Sequence, residues 1–125
     1  MIHLNQPFEH FLREKGFMLQ QTTREGRIMV YRSGDFELFI GKNNNDETFV
    51  DIRKNGKQDW IQINLLQSYL LKYEDTLREL SFDQELKFIM DYFHSITEVL
   101  TEAAYPATMQ ELWQLEHRSI ERLLA

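Results

Sequence analysis

Apolar residues recur late in the chain at alternating steps of four and three: Phe82, Leu86, Ile89, Phe93, Ile96 and Leu100. At about 100° per residue this set keeps to one narrow sector of a helix. A second row (Phe88, Tyr92, Val99, Ala103) flanks it, with Met90 and Thr97 on the other side. An apolar arc covering about half the circumference serves more than one neighbour. The pattern predicts a central helix over residues 81–104, laid on a sheet and touched by other helices. Ser81 with Gln84 forms the capping box that starts it. Tyr105-Pro106 ends it, because the residue before proline is pushed out of the α region.

Upstream, the period changes twice. Asn5 or Gln6 caps a short helix with Pro7 in its first turn and Phe8, Phe11 and Leu12 on its apolar side, and Gly16 stops it after Arg13 and Lys15. From Phe17 the chain reads as short β-branched and aromatic runs: FMLQQTT, IMVYR, FELFI and TFVDIR. Turn clusters separate them: REGR, SGD, NNND and KNGK. Such short links favour antiparallel neighbours. The Asn55-Gly56 pair marks a tight turn, because both residues tolerate positive φ. It implies a fifth extended piece over residues 59–63. Asn64, with Gln67 three residues on, caps a following helix whose buried face is Leu65, Leu66, Tyr69, Leu70 and Tyr73, and residues 74–80 form a hinge or a continuation of it. Thr108 and Glu111 repeat the capping box before a last helix marked by Met109, Leu112, Trp113, Glu116, Ile120 and Leu123. The expected fold is one α+β domain over residues 1–125: an N-terminal helix, an antiparallel meander of four to five strands, then three C-terminal helices on one sheet face.

At 125 residues the chain is long enough to bury a core without staples. No apolar run approaches the roughly 18 residues needed to cross a membrane. Residues 1–5 lack a basic-then-apolar secretion signal. The absence of cysteine excludes disulfides, thiolate chemistry and zinc–cysteine sites, and a cytoplasmic location is the expectation. The net charge of −6 is unevenly placed: residues 1–73 are near neutral at +1, whereas residues 74–125 carry 11 acids against 4 Lys and Arg. So acidic a helical half repels nucleic-acid phosphates and anionic membranes and suits a basic partner. An acidic surface also serves simply to keep a protein dissolved.

Asp91, His94 and Glu98 share one helical face at metal-binding or acid–base spacing. Asp91 and Glu98 lie opposite the apolar seam, however, with His94 at the edge, where a solvated face with an ordinary Lys87–Asp91 pair belongs. No His-x-x-x-His or Glu-x-x-His pair occurs among the four histidines. SGD and GKN lack the glycines and the following helix of a phosphate loop and read as hairpin turns. Arg24, Arg27, Arg32, Lys42, Arg53, Lys54 and Lys57 are scattered among acids, which disfavours nucleic-acid binding. Catalytic residues, metal ligands and cofactors are therefore all expected to be none. Acids beside an aromatic residue have the make-up of a hot spot for a basic protein. The candidate partner-binding set is Asp35, Glu37, Asp51, Asp59 and Trp60, with Asp91, Glu98 and Glu102 on the acidic helix.

The layout of PFEHFLREKGF, IMVYRSGDFELFIGK, ETFVDIRKNG and FDQELKFIMDYFHSI resembles the small α+β immunity proteins of bacterial toxin–immunity systems, including contact-dependent inhibition. That resemblance implies a non-catalytic cytoplasmic protein that binds and neutralises one cognate protein toxin, often a nuclease with a basic cleft. No functional residue carries over, since the family has no diagnostic motif. Two readings from other classes stand beside it. One is a small-molecule-binding or enzymatic domain with a pocket between sheet and helices, lined by Tyr31, Phe39, Trp60 or Tyr92. The other is a homodimeric adaptor or chaperone that pairs through an edge strand or the helix over residues 108–123; the protein is thus expected to be a monomer or a homodimer.

Overall fold

The structure, a computed structural model, describes residues 2–23, 25–72 and 77–124, the side chains of Arg122 and Leu123 excepted. The expected Arg24, Tyr73 and Leu123 positions, and residues 74–76 of the hinge, lie outside the described residues. Helix α1 (Gln6–Glu14) starts where Asn5 Oδ1 accepts the Phe8 N–H at 2.8 Å. It ends at Gly16, whose φ of +79° lets the Phe17 N–H reach back to the Leu12 carbonyl at 2.8 Å. The Gly16 N–H meets the Arg13 carbonyl at the same time, completing a Schellman turn that delivers Phe17 into the core.

Strands β1 (Met18–Thr22), β2 (Ile28–Arg32), β3 (Phe36–Lys42), β4 (Thr48–Lys54) and β5 (Ile61–Gln62) form one antiparallel meander in sequence order. Alternation sends Phe36, Leu38 and Ile40 of β3, with Val50 and Ile52 of β4, to the inner face, where all five are buried. In the KNGK turn only Gly56 takes positive φ, at +83°. Asn55 instead donates its side-chain amide to the Ser33 carbonyl at 2.9 Å, tying two hairpin ends together.

Helices α2 (Ile63–Leu70), α3 (Phe82–Val99) and α4 (Tyr105–Leu124) complete the α+β layout. Ser81 and Gln84 make the capping box reciprocally, at 3.2 and 2.9 Å. Leu86, Ile89, Ile96 and Leu100 are all but solvent-free along the seam that faces the sheet. The backbone of α3 leaves helical geometry at Tyr92 (φ −117°, ψ 17°). The next residue, Phe93, meets Phe11 of α1, Phe17 and Phe36 edge-to-face, with centroids 5.2, 6.1 and 5.8 Å away.

Four local expectations are corrected. The fifth strand shrinks from residues 59–63 to Ile61–Gln62, because Ile63 already begins α2. An i, i+2 pair of isoleucines is too short a pattern to separate a strand from the first turn of a helix. Asn64 accordingly lies inside α2, and Gln62 occupies the cap with no side-chain bond. Helix α3 stops at Val99 rather than at 104; Pro106 sits in the first turn of α4, where its missing N–H costs nothing. Thr108 is not a cap but a buried residue of α4. Together with Glu111 it hydrogen-bonds the Tyr69 phenol of α2.

Phe93 joins three segments, and aromatic pairs add about 0.5–1.5 kcal/mol each to the burial they bring. Phe93→Ala is expected to lower unfolding stability by about 3 kcal/mol. Urea denaturation measures this, with Phe93→Leu losing less than half as much.

Candidate partner-binding face

The outer face of the sheet is built from residues that alternate with the core: Glu37 and Phe39 on β3, and Phe49, Asp51 and Arg53 on β4. Register places Arg53 directly opposite Glu37. Arg53 Nε and Nη2 both donate to Glu37 Oε1, at 3.3 and 2.9 Å. The same guanidinium lies over Trp60, with Cζ 4.1 Å from the ring centroid. Trp60 meets Phe39 edge-on at 5.6 Å, and Phe39 stacks on Phe49 at 5.9 Å. Gly41 makes room for this row, since a Cβ there would stand 2.9 Å from Phe39 Cε1. These residues shield one another only to half-burial. The result is a strip of rings with a stacked ion pair on top, a surface suited to a second protein.

Acids rim the strip. Asp35, in the β2–β3 turn, and Asp59, beside Trp60, are exposed and make no ion pair among the described residues. Beyond Trp60 the surface dips into a groove of about 440 Å³ between β5 and α4, with Trp113 and Met109 on the far wall and Glu116 at its edge.

Asp51 differs from the other acids. Because β5 is only two residues long, the edge of β4 beyond it lacks a partner strand. The Val50 N–H there donates to Glu85 Oε1 of α3 at 3.3 Å. This draws Glu85 to Asp51 in a cleft of about 260 Å³ that Glu79 also lines. Burial pushes Asp51 from 3.8 up to about 6. Burial, reinforced by the charge of Asp51 and opposed by the Val50 bond, pushes Glu85 from 4.5 up to about 7.

The structure thus gathers Asp35, Glu37, Asp51, Asp59 and Trp60 on or beside one face of the sheet. Asp91 and Glu98 stand apart on exposed α3, paired with Lys87 and His94. Glu102, after α3, reaches Lys57 at 3.5 Å and lies nearer the sheet end of the molecule. Among the described residues no group of three His, Asp or Glu could hold a metal ion. No described helix is long and apolar enough to cross a membrane. Of the rings expected to line an internal pocket, Trp60 borders the groove, Tyr92 a shallow surface cleft beside Asp91, and Phe39 the outer strip. Sequence reasoning missed Phe39 and Phe49 as surface residues, although both run out of phase with the buried members of their strands. It also missed Arg53 and Glu85, whose roles depend on register and on a helix arriving from elsewhere. Comparison with protein families, with curated proteins and with solved structures finds no match to this chain.

Both raised carboxyls bind protons more readily folded than unfolded. Their contribution to stability is complete below about pH 4 and is lost as pH rises through 6 and 7. Glu85→Gln keeps an acceptor for the Val50 N–H, so it is expected to flatten the fall in melting temperature between pH 4.5 and 7 without unfolding the protein, as a calorimetric pH series measures.

Proposed function

We propose that this chain is a protein-binding domain that captures a basic partner on the outer face of its sheet, and that the partner is a cognate toxin which it neutralises as an immunity protein. The observation that carries the reading is the Phe49–Phe39–Trp60 row with Arg53 stacked on it and Asp35 and Asp59 unpaired at its rim. Central rings and an arginine supply most of the energy of such contacts, while rim charges steer association. The net charge of −6 favours a basic partner over long range. The resemblance in layout supplies the toxin class. A second reading, a small-ligand or enzymatic site, draws on the Asp51–Glu85 cleft, where two carboxyls with different proton affinities have the character of an acid–base pair.

The gene immediately upstream tests the first reading. A large secreted protein ending in a short toxin domain supports it, and a metabolic operon sinks it. With such a domain in hand, Trp60→Ala is expected to weaken binding by about 30-fold or more, measured by calorimetry. Asp35→Lys combined with Asp59→Lys is expected to slow association about 10-fold at low salt with little change in melting temperature. Unaltered binding in both variants would move the interface off this face.

A further inference from the structure

Helix α4 carries two apolar faces, and the fold buries only one of them; of the second, Met109 packs partly against the core and the rest is exposed. Tyr105, Leu112 and Leu115 are buried with Thr108 and Ser119. Turned from these by roughly a third of the circumference, Met109, Trp113, Ile120 and Leu124 form a second stripe. Trp113, Ile120 and Leu124 are 60%, 47% and 83% exposed, and they make up three of the five large apolar side chains that the described residues leave in solvent. The other two, Met18 and Leu19, lie on edge strand β1, where an irregular register between Leu19 and Gln21 breaks the edge as a template for pairing.

The stripe is symmetric about the midpoint between Glu116 and His117. Met109 and Leu124 are equally far from it on opposite sides, and so are Trp113 and Ile120. We propose that it is the seam of a homodimer, in which α4 packs antiparallel on α4 of a second copy about a two-fold axis passing between Glu116 and His117. In that register Met109 meets Leu124 of the other copy and Trp113 meets Ile120. The Glu116 carboxylate faces a His117 imidazole, and every contact occurs twice, as an isologous interface requires.

Charge resists a second copy least along this helix. Residues 74–104 hold eight acids against two Lys and Arg, whereas residues 105–125 hold three against two. Two copies therefore approach with least repulsion along α4, while a basic partner is drawn elsewhere. A 20-residue helix spans about 30 Å, so a seam of this length sits at the small end of specific interfaces. A weak, reversible dimer is expected of so small a seam. Met109, Trp113 and Glu116 of the seam also wall the groove that Trp60 borders, so dimerisation competes with capture of a partner in that groove.

Sedimentation equilibrium on the full chain between about 1 and about 300 µM is expected to show the mass rising from 15.1 kDa to twice that value. Ile120→Glu, at an exposed position, is expected to raise the dissociation constant at least 30-fold with an unchanged circular-dichroism spectrum. Glu116→Lys alone is expected to weaken the dimer, and adding His117→Glu is expected to restore it. A wild-type chain that stays monomeric at the highest concentration overturns the proposal and leaves the stripe to a different protein. So does a dimer indifferent to Ile120→Glu, which would place the interface elsewhere. Failure of the double variant to recover overturns the antiparallel register.

Discussion

Phe93 is the ring on which separate parts of the chain converge. Phe11 reaches it from α1, Phe17 from the turn that follows and Phe36 from β3, each edge-to-face. None of these segments stands alone: α1 has nine residues, below the length at which an isolated helix holds in water, and a small sheet needs something against its apolar face. The long seam of α3 supplies that surface, with Leu86, Ile89, Ile96 and Leu100 closing over Leu38, Ile40, Val50 and Ile52. The capping box at Ser81 fixes where the seam begins, and the aromatic cluster ties the N-terminal helix to it.

The second constraint is the brevity of β5. A two-residue last strand leaves the Val50 N–H on a partly covered sheet edge, and a buried donor without an acceptor costs about 1–3 kcal/mol. Glu85 answers that need from the first turns of α3. The solution brings a carboxyl against Asp51 in a half-buried cleft, where burial keeps both from ionising at their ordinary pH. A device for completing hydrogen bonds at a sheet edge thereby produces the most perturbed titrating pair in the described structure.

On the outer face of the sheet, strand alternation does two jobs with one sequence. The residues that skip the core, Glu37, Phe39, Phe49 and Arg53, assemble into a strip of rings and a stacked ion pair. Pairing Arg53 with Glu37 removes most of the charge from its middle, leaving Asp35 and Asp59 to give the rim its sign. An apolar centre with an acidic rim accounts for the proposed basic partner better than the total charge does. The helical acids Asp91 and Glu98, which look similar in sequence, are engaged by Lys87 and His94 along their own helix.

Period and punctuation alone were enough to read the order of elements, the meander, the inward sets of β3 and β4, the first cap to within one residue (Asn5 or Gln6), the Gly16 stop and the capping box at Ser81. Each rests on residues within a few positions of one another, where local sterics and hydrogen bonds decide. Pro106 misled because proline suits the first turn of a helix as well as the position after one, and here it begins α4 when α3 has already ended at Val99. Thr108 with Glu111 imitated a cap while serving Tyr69 across the interface with α2. The break at Tyr92 had no proline or glycine to announce it. Within the candidate site, alternation was enough to read Glu37 and Asp51 as pointing away from the core, but not Phe39 and Phe49. Which of them stand together depends on strand register, on the length of β5 and on where α3 crosses the β4 edge. Those are contacts between residues 16 to 35 positions apart, and only the packed core brings them within reach.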